Sequence, residues 1–282
     1  MVQHQSILIT GCSSGIGLCT AHGLAKRGHR VFASARKAAD VARLREAGLE
    51  ALPLDLDDSA SIAHAVDEVL ARTNGRLDAL FNNGAWGQPG AVEDLSRGAL
   101  RAQFETNLFG TVELTNRVIP VMRRQGHGRI IMNNSVLGLV ALPFRGAYNA
   151  SKFALEGISD TLRLELAGTG IFVSLIEPGP IASRFRENSL AAFHRHIDMD
   201  NSPFRDLYRA VLRRLEKQGQ TTSFTQPPEA VLKRVIHALE SHRPRRRYPV
   251  TFPTYLFAAF RRMLPYAALD SVLARVSANE NR

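Results

Sequence analysis

Tyr148 and Lys152 stand four residues apart in a segment whose apolar spacing predicts a helix over residues 147–166, so their side chains share one face. A free tyrosine has a pKa of about 10 and is a weak proton donor or acceptor near neutrality. A neighbouring ammonium favours the phenolate and brings the group toward the working range. Ser135, thirteen residues earlier, falls at the end of a strand predicted at residues 129–132. Its hydroxyl would hydrogen-bond negative charge developing on a substrate oxygen. These residue types suit proton transfer to a carbonyl oxygen as hydride reaches the carbon. Taken alone, a Tyr-x-x-x-Lys pair fits an exposed helix face just as well.

A second constellation opens the chain. Thr10-Gly11-Cys12-Ser13-Ser14-Gly15-Ile16-Gly17 lies between an apolar run at 7–9 and a helical pattern at 16–27. Glycines at 11, 15 and 17 permit a tight turn, close approach of a pyrophosphate and close helix–strand packing. The N–H groups and positive end of the following helix then face the phosphates.

The elements that must position these groups alternate regularly. Apolar runs at 7–9, 31–33, 49–54, 77–81, 129–132 and 171–176 read as strands. Helical patterns follow at 16–27, 38–46, 58–72 with Asp58 as cap, 100–124 and 147–166. This alternation predicts a doubly wound α/β fold, a parallel sheet covered on both faces, in one domain over residues 1–250. An irregular stretch at about 181–225 is expected to form a substrate loop with one or two helices. A helix starts at Pro227-Pro228-Glu229, and residues 251–282 form a C-terminal helical extension.

Composition narrows the class. The 282 residues are 45% hydrophobic and 22% charged, as in an ordinary globular protein. Two cysteines, Cys12 and Cys19, cannot make a disulfide framework, which fits a reducing compartment. The start lacks the basic region of a signal peptide, and no apolar run of about 18 residues is present, so a cytoplasmic location is expected. The net charge is +10, and six of those charges fall in the last 65 residues. No reader motif accompanies them, which argues against nucleic acid. His194, His196 and Asp198 form no completed ligand set, so no metal is expected.

The glycine turn combined with Tyr148-Asn149-Ala150-Ser151-Lys152 resembles the short-chain dehydrogenase/reductase family over roughly residues 6–183. The resemblance implies a Rossmann-type fold and a nicotinamide cofactor bound by Gly11, Ser13, Ser14, Gly15, Ile16 and Gly17. It further implies contacts from Asp55 and Leu56 at the adenine, from Asn82 in Asn82-Asn83-Gly84-Ala85, and from Pro178, Gly179 and Ile181 beside the nicotinamide. Tyr148 and Lys152 would hold the ribose as well as act in catalysis. The family pattern also gives Ser135 its catalytic role and makes Asn107 a fourth catalytic residue, supporting a water-linked relay to Lys152.

The residues after the second strand separate the two dinucleotides. An acid there would hydrogen-bond the ribose 2′-hydroxyl and repel a 2′-phosphate. This chain has Ala33-Ser34-Ala35-Arg36-Lys37. Arg36 offers a charge-assisted fork to the phosphate, and Ser34 would add a hydroxyl, so NADP(H) is the expected cofactor.

Substrate contacts are expected from Trp86, Phe144, Phe185, Phe193, Phe204 and Tyr208, which favour an apolar carbonyl or alcohol compound. Residues 177–181 and Arg247-Tyr248-Pro249-Val250 resemble a branch of bacterial NADP-dependent aldehyde reductases. That branch is similar to retinol and 17β-hydroxysteroid dehydrogenases. Reduction of aldehydes or ketones leads, with hydroxysteroid or retinol oxidation and a non-catalytic NADP sensor as alternatives. A homo-oligomer is expected, with Met122, Leu155, Ile158, Leu162 and Leu166 as apolar contacts. Residues 254–264 are apolar almost all round and too few to span a bilayer. They are expected to pack over the pocket or an interface, with weak contact to an anionic membrane as the alternative.

Overall fold

The computed structural model describes residues 4–217, 219 and 222–280. Residues 1–3, 218, 220, 221, 281 and 282, including parts of the expected substrate loop and C-terminal extension, lie outside the described residues. Seven parallel strands run in the order β3-β2-β1-β4-β5-β6-β7. They are β1 (Ser6–Ile9), β2 (Arg30–Ala35), β3 (Glu50–Pro53), β4 (Ala79–Asn82), β5 (Gly128–Asn133), β6 (Ile171–Glu177) and β7 (Arg247–Pro249). The strand order reverses between β1 and β4, which opens a crevice at the carboxyl ends of the strands. Six strands coincide with the expected runs. The seventh, only three residues long and ending in Pro249, pairs with Leu175–Glu177 at the sheet edge, where proline is tolerated.

Side-chain alternation along the strands fills two cores. Ile7 and Ile9 of β1 join Val31, Ala33 and Phe81 on one face, under α1 (Gly15–Lys26) and α9 (Glu229–Glu240). Leu8 joins Phe32, Leu80, Ile130 and Leu175 on the other face. That face is covered by α3 (Ser59–Arg72), α5 (Thr111–Gln125) and α6 (Gly146–Glu165), while α2 (Ala38–Glu46) flanks β2 and β3. Asp58 caps α3 as expected, accepting from the Ala60 N–H at 3.0 Å.

The long helix expected at 100–124 contains an irregularity that periodicity does not reveal. It is α4 (Arg97–Phe104), a π-helical turn (Glu105–Gly110) and then α5. At Gly110 a Cβ would lie 1.9 Å from the Leu56 carbonyl oxygen, so the backbone passes too close to β3's exit for any side chain. Such turns interrupt helices where a side chain must be re-aimed.

Two further helical pairs complete the molecule. Helices α7 (Phe185–His196) and α8 (Arg205–Glu216) occupy the stretch expected to be irregular, and Phe144, Phe193, Phe204 and Tyr208 meet edge-to-face between 5.1 and 6.5 Å. The C-terminal helices α10 (Phe252–Met263) and α11 (Tyr266–Glu280) lay Phe257, Leu269 and Leu273 on Val140 and Leu142. The extension therefore packs against the residues that follow Ser135. Among the described residues no helix is long and apolar enough to cross a membrane.

Tyr208 is fully buried; its hydroxyl donates to Asp94 and accepts from the Ala91 N–H at 2.9 Å. Tyr208→Phe leaves a buried N–H without an acceptor, which costs about 1–3 kcal/mol. Urea unfolding should record that loss, and an unchanged midpoint would show that the hydroxyl carries no stability.

Candidate active site

The glycine turn takes its shape from Thr10 and Asn83. The buried Thr10 hydroxyl accepts from the N–H groups of Asn83 and Gly84 at 2.9 and 2.8 Å. Asn83 Nδ2 donates to the Thr10 and Gly11 carbonyls at 2.9 and 3.2 Å. Gly11 and Gly15 have φ of +71° and +56°, and a Cβ at Gly17 would stand 2.3 Å from the Gly11 carbonyl oxygen. Ser14 precedes α1 without a side-chain capping bond, so the first N–H groups of the helix stay available to an anion. Gly11, Ser13, Ser14, Gly15 and Ile16 line a cavity of about 1000 Å³, and Gly17 packs beneath the turn.

Asn82 does not face this cavity. It ends β4 two residues beyond Leu80, on the same face, and its Nδ2 donates to the Thr115 hydroxyl at 2.9 Å inside the core. Strand alternation carries that signal: the next residue, Asn83, points the other way and holds the turn. Ser34 is likewise fully buried, donating to the Ile9 carbonyl at 3.1 Å, and offers no hydroxyl to a phosphate. Arg36 is exposed just past β2. Arg43, absent from the sequence reading, donates to the Ser13 carbonyl at 2.7 Å and braces the turn from α2. Asp55 and Leu56 follow β3 and are not among the residues lining this cavity, although Leu56 stands directly behind its wall at Gly84. The Asp55 N–H donates to Ser61, and Leu56 packs where a Cβ of Gly84 would stand.

Further along the same cavity lie Ser135, Tyr148 and Lys152. Ser135, two residues past β5, accepts from the Leu137 N–H at 3.1 Å and shares the cavity wall with the Tyr148 phenol. Lys152 Nζ donates to the Asn133 carbonyl at 2.8 Å and lies 5.7 Å from the Tyr148 ring centre. Burial pushes the phenol up to about 12, against the opposing pull of Ser135. Burial also pushes the Lys152 ammonium down to about 8, opposed by the charge of Glu156. In the free protein burial thus outweighs the neighbouring ammonium, and the phenol moves up, against the fall toward the working range expected from Lys152.

Asn107 occupies the π-helical turn and is buried. Its Nδ2 donates to the Trp86 carbonyl at 2.9 Å and to Ser151 at 3.1 Å, and its Oδ1 accepts from the Trp86 N–H. Among the described residues no hydrogen bond joins it to Lys152. It fastens the turn to α6 beside Tyr148 and Lys152.

Most aromatic residues expected on the cavity wall are elsewhere. Phe144, Phe193, Phe204 and Tyr208 turn into their own cluster and support α7 and α8. Trp86 donates from Nε1 to Thr106 at 2.9 Å and stacks on His196. Phe185 alone of the set reaches the site, 5.3 Å from the Tyr148 ring, with Val136, Leu137, Leu142 and Leu190 supplying further apolar wall. Pro178, Gly179 and Ile181 line the cavity as expected. A Cβ at Gly179 would meet the Thr251 hydroxyl at 2.2 Å. Cys12 is buried with its thiol pushed up to about 12 by desolvation, a packing role. Among the described residues no cluster could hold a metal ion.

The donor set fits an elongated anionic ligand. Uncapped N–H groups of the turn would hold phosphates, and further along the buried, unpartnered Asn133 Oδ1 and the Lys152 ammonium would hold polar groups.

A model of the short chain dehydrogenases matches residues 5–192. The chain is 43% identical over 272 residues to an Escherichia coli K12 protein, "Uncharacterized oxidoreductase YbbO", covering 96% of this chain and 95% of that one. It is 37% identical over 270 residues to human 17-beta-hydroxysteroid dehydrogenase type 1, covering 91% and 80%. A short chain dehydrogenase/reductase from Burkholderia phymatum, solved with NAD, shares the fold at a TM-score of 0.77 and 24% identity, over 97% and 96% of the two chains.

Proposed function

The chain belongs to the short chain dehydrogenase family of oxidoreductases, and on that premise we propose that it is an NADP(H)-dependent enzyme reducing aldehyde or ketone carbonyls of apolar substrates. The observation that carries the reading is Tyr148 beside Lys152, lining one cavity with Ser135 and the glycine turn. The glycine turn, Arg36, Asn133, Lys152, Pro178, Gly179 and Ile181 would hold the dinucleotide. Bound there, it supplies hydride to the carbonyl carbon. Tyr148 gives its phenolic proton to the substrate oxygen, and the Ser135 hydroxyl donates a hydrogen bond to the same oxygen as charge develops. The Lys152 ammonium stabilises the phenolate that remains. Val136, Leu137, Leu142, Phe185 and Leu190 favour an apolar substrate body. The human relative's name supports hydroxysteroid oxidation as the second reading.

Arg36 is exposed just past β2, at a strand end with no acidic residue, which supports NADP(H) over NAD(H). NADPH should bind at least about tenfold more tightly than NADH, or ~1.4 kcal/mol, and Arg36→Asp should reverse much of that preference. Fluorescence titration of both dinucleotides tests it; equal affinities would remove Arg36 from the site. Absorbance loss of NADPH with a panel of aldehydes tests the chemistry, and Tyr148→Phe should lower kcat/KM by roughly 10²- to 10⁴-fold. Undiminished activity would sink the mechanism.

We also propose a homo-oligomer, although its contacts differ from those expected. Met122, Leu155 and Leu166 are buried in the core and Leu162 packs against it, whereas Phe109 and Ile158 are 52% and 40% exposed. They line a groove with Leu108 and Val112, suited to a second copy. Light scattering at micromolar concentration should give a multiple of 31.1 kDa, and Ile158→Glu should shift it toward the monomer. A native monomer would end this proposal.

The proposed location is the cytoplasm. Packing by α10 and α11 does not bury Phe252, Tyr255, Met263 or Tyr266, which together with Arg261 and Arg262 favour weak contact with anionic lipid as a second role for the tail. Pelleting with anionic liposomes that falls with salt would support the contact, and no pelleting at low salt would refute it.

A further inference from the structure

Lys152 is backed by a cluster of ionisable groups that neither proton donation nor dinucleotide binding uses. Glu156 follows Lys152 by four residues on α6, so both side chains leave the same helix face. One Glu156 carboxylate oxygen accepts from Asn134 Nδ2 and the other from Arg247 Nη1. The same Arg247 nitrogen donates to Glu177 at 2.5 Å, and Nη2 donates to Asp160 at 2.7 Å. Glu156 and Glu177 are 8% and 1% exposed, so this guanidinium from the edge strand neutralises carboxylates that water does not reach. Asn134 immediately precedes Ser135, and Glu177 immediately precedes Pro178 and Gly179. The cluster thus ties the ends of β5 and β6 and the edge strand β7 to the helix carrying Tyr148.

We propose that Glu156 is a positioning residue for Tyr148 and Lys152: anchored by Arg247 and Asn134 one helical turn behind the lysine, its carboxylate holds the ammonium in place beside the phenol. This rests on the reading of Lys152 as the partner of Tyr148. Around Lys152 stand the Tyr148 ring and, one turn on along the same helix, Glu156, while its ammonium donates to the Asn133 carbonyl of β5. Around Glu156 stand Lys152 and Asp160, one turn before and after it on α6, with hydrogen bonds from Asn134 after β5 and from Arg247 of β7, which also holds Glu177 of β6. Burial drives Lys152 toward the neutral amine, and Glu156 is the carboxylate that opposes it. Burial, then repulsion from Glu156, pushes Glu177 up to about 7, and Glu156 is pushed up as well. Without Arg247 these carboxylates would face one another unneutralised, the cluster would take up a proton, and Glu156 would lose the hydrogen bond that aims it. Loss of either residue therefore removes the attraction on the ammonium, and Lys152 deprotonates at lower pH.

The test compares the native protein with Glu156→Gln, Arg247→Met and Arg247→Lys. The first readout needs no turnover: acetylation of Lys152 by acetic anhydride is followed against pH by peptide mass spectrometry. Its midpoint should fall by roughly one pH unit in Glu156→Gln and Arg247→Met, and Arg247→Lys should recover most of the shift. The alkaline limb of kcat/KM for NADPH-dependent reduction should move the same way. If Glu156→Gln does not fold, the Met and Lys variants at position 247 carry the comparison. A lower melting temperature with an unmoved labelling midpoint would reduce the cluster to a structural clamp and overturn the proposal. A midpoint that moves in a protein unable to reduce any carbonyl with NADPH would uphold the coupling and overturn the proposed reaction instead.

Discussion

The hydrogen bond from the Lys152 ammonium to the Asn133 carbonyl joins a helix to the end of a central strand in a region almost closed to water. A buried cation is tolerated only where oxygen atoms and opposing charge replace its hydration. That requirement fixes the depth of α6 against the sheet, and with it the height of Tyr148 over Ser135. It also explains why charged groups continue behind the lysine in an otherwise apolar layer. Leu155 buries its side chain between Lys152 and Glu156 in sequence, on the neighbouring stripe of the same helix. One helix therefore seals a hydrophobic core and carries a charged line, and each constrains the other.

At the opposite end of the crevice the constraint is steric. Gly17 leaves no room for a Cβ above the Gly11 carbonyl, and Gly110 leaves none beside Leu56. The Thr10 hydroxyl, accepting from two successive N–H groups, and the Asn83 amide, donating to two carbonyls, make the turn a knot of short contacts. Asn133 links this knot to the catalytic end by donating to Asn83 Oδ1 at 2.9 Å. The two halves of the cavity thus share a single polar chain across β1, β4 and β5.

Six strands, the glycine turn and the Ser135–Tyr148–Lys152 group were legible because each rests on local spacing: alternation, a turn before a helix, and four residues on one helix face. What escaped was direction. Phe193 and Tyr208 are apolar and lie in the segment covering the cavity, yet nothing in their type says that they turn toward Phe144 and away from the substrate. Asn82 and Asn83 look interchangeable until strand alternation sends one inward and the other to the turn. β7 escaped for lack of length, because three residues ending in proline carry no period. Arg247 escaped with it, since its three carboxylates lie 70 or more residues away in the chain.

The packing of α10 and α11 on Val140 and Leu142 also has a meaning in time. The phosphate-binding turn is encoded within the first twenty residues, but the layer behind the cavity's Ser135 side is finished only with Leu269 and Leu273. A chain emerging from the ribosome folds from its N-terminal end. The crevice at the glycine turn can therefore form long before the layer behind Val140 and Leu142 is in place. A nascent chain would present the front of that crevice ahead of its backing, and the two C-terminal helices would brace the wall from behind only once they had emerged.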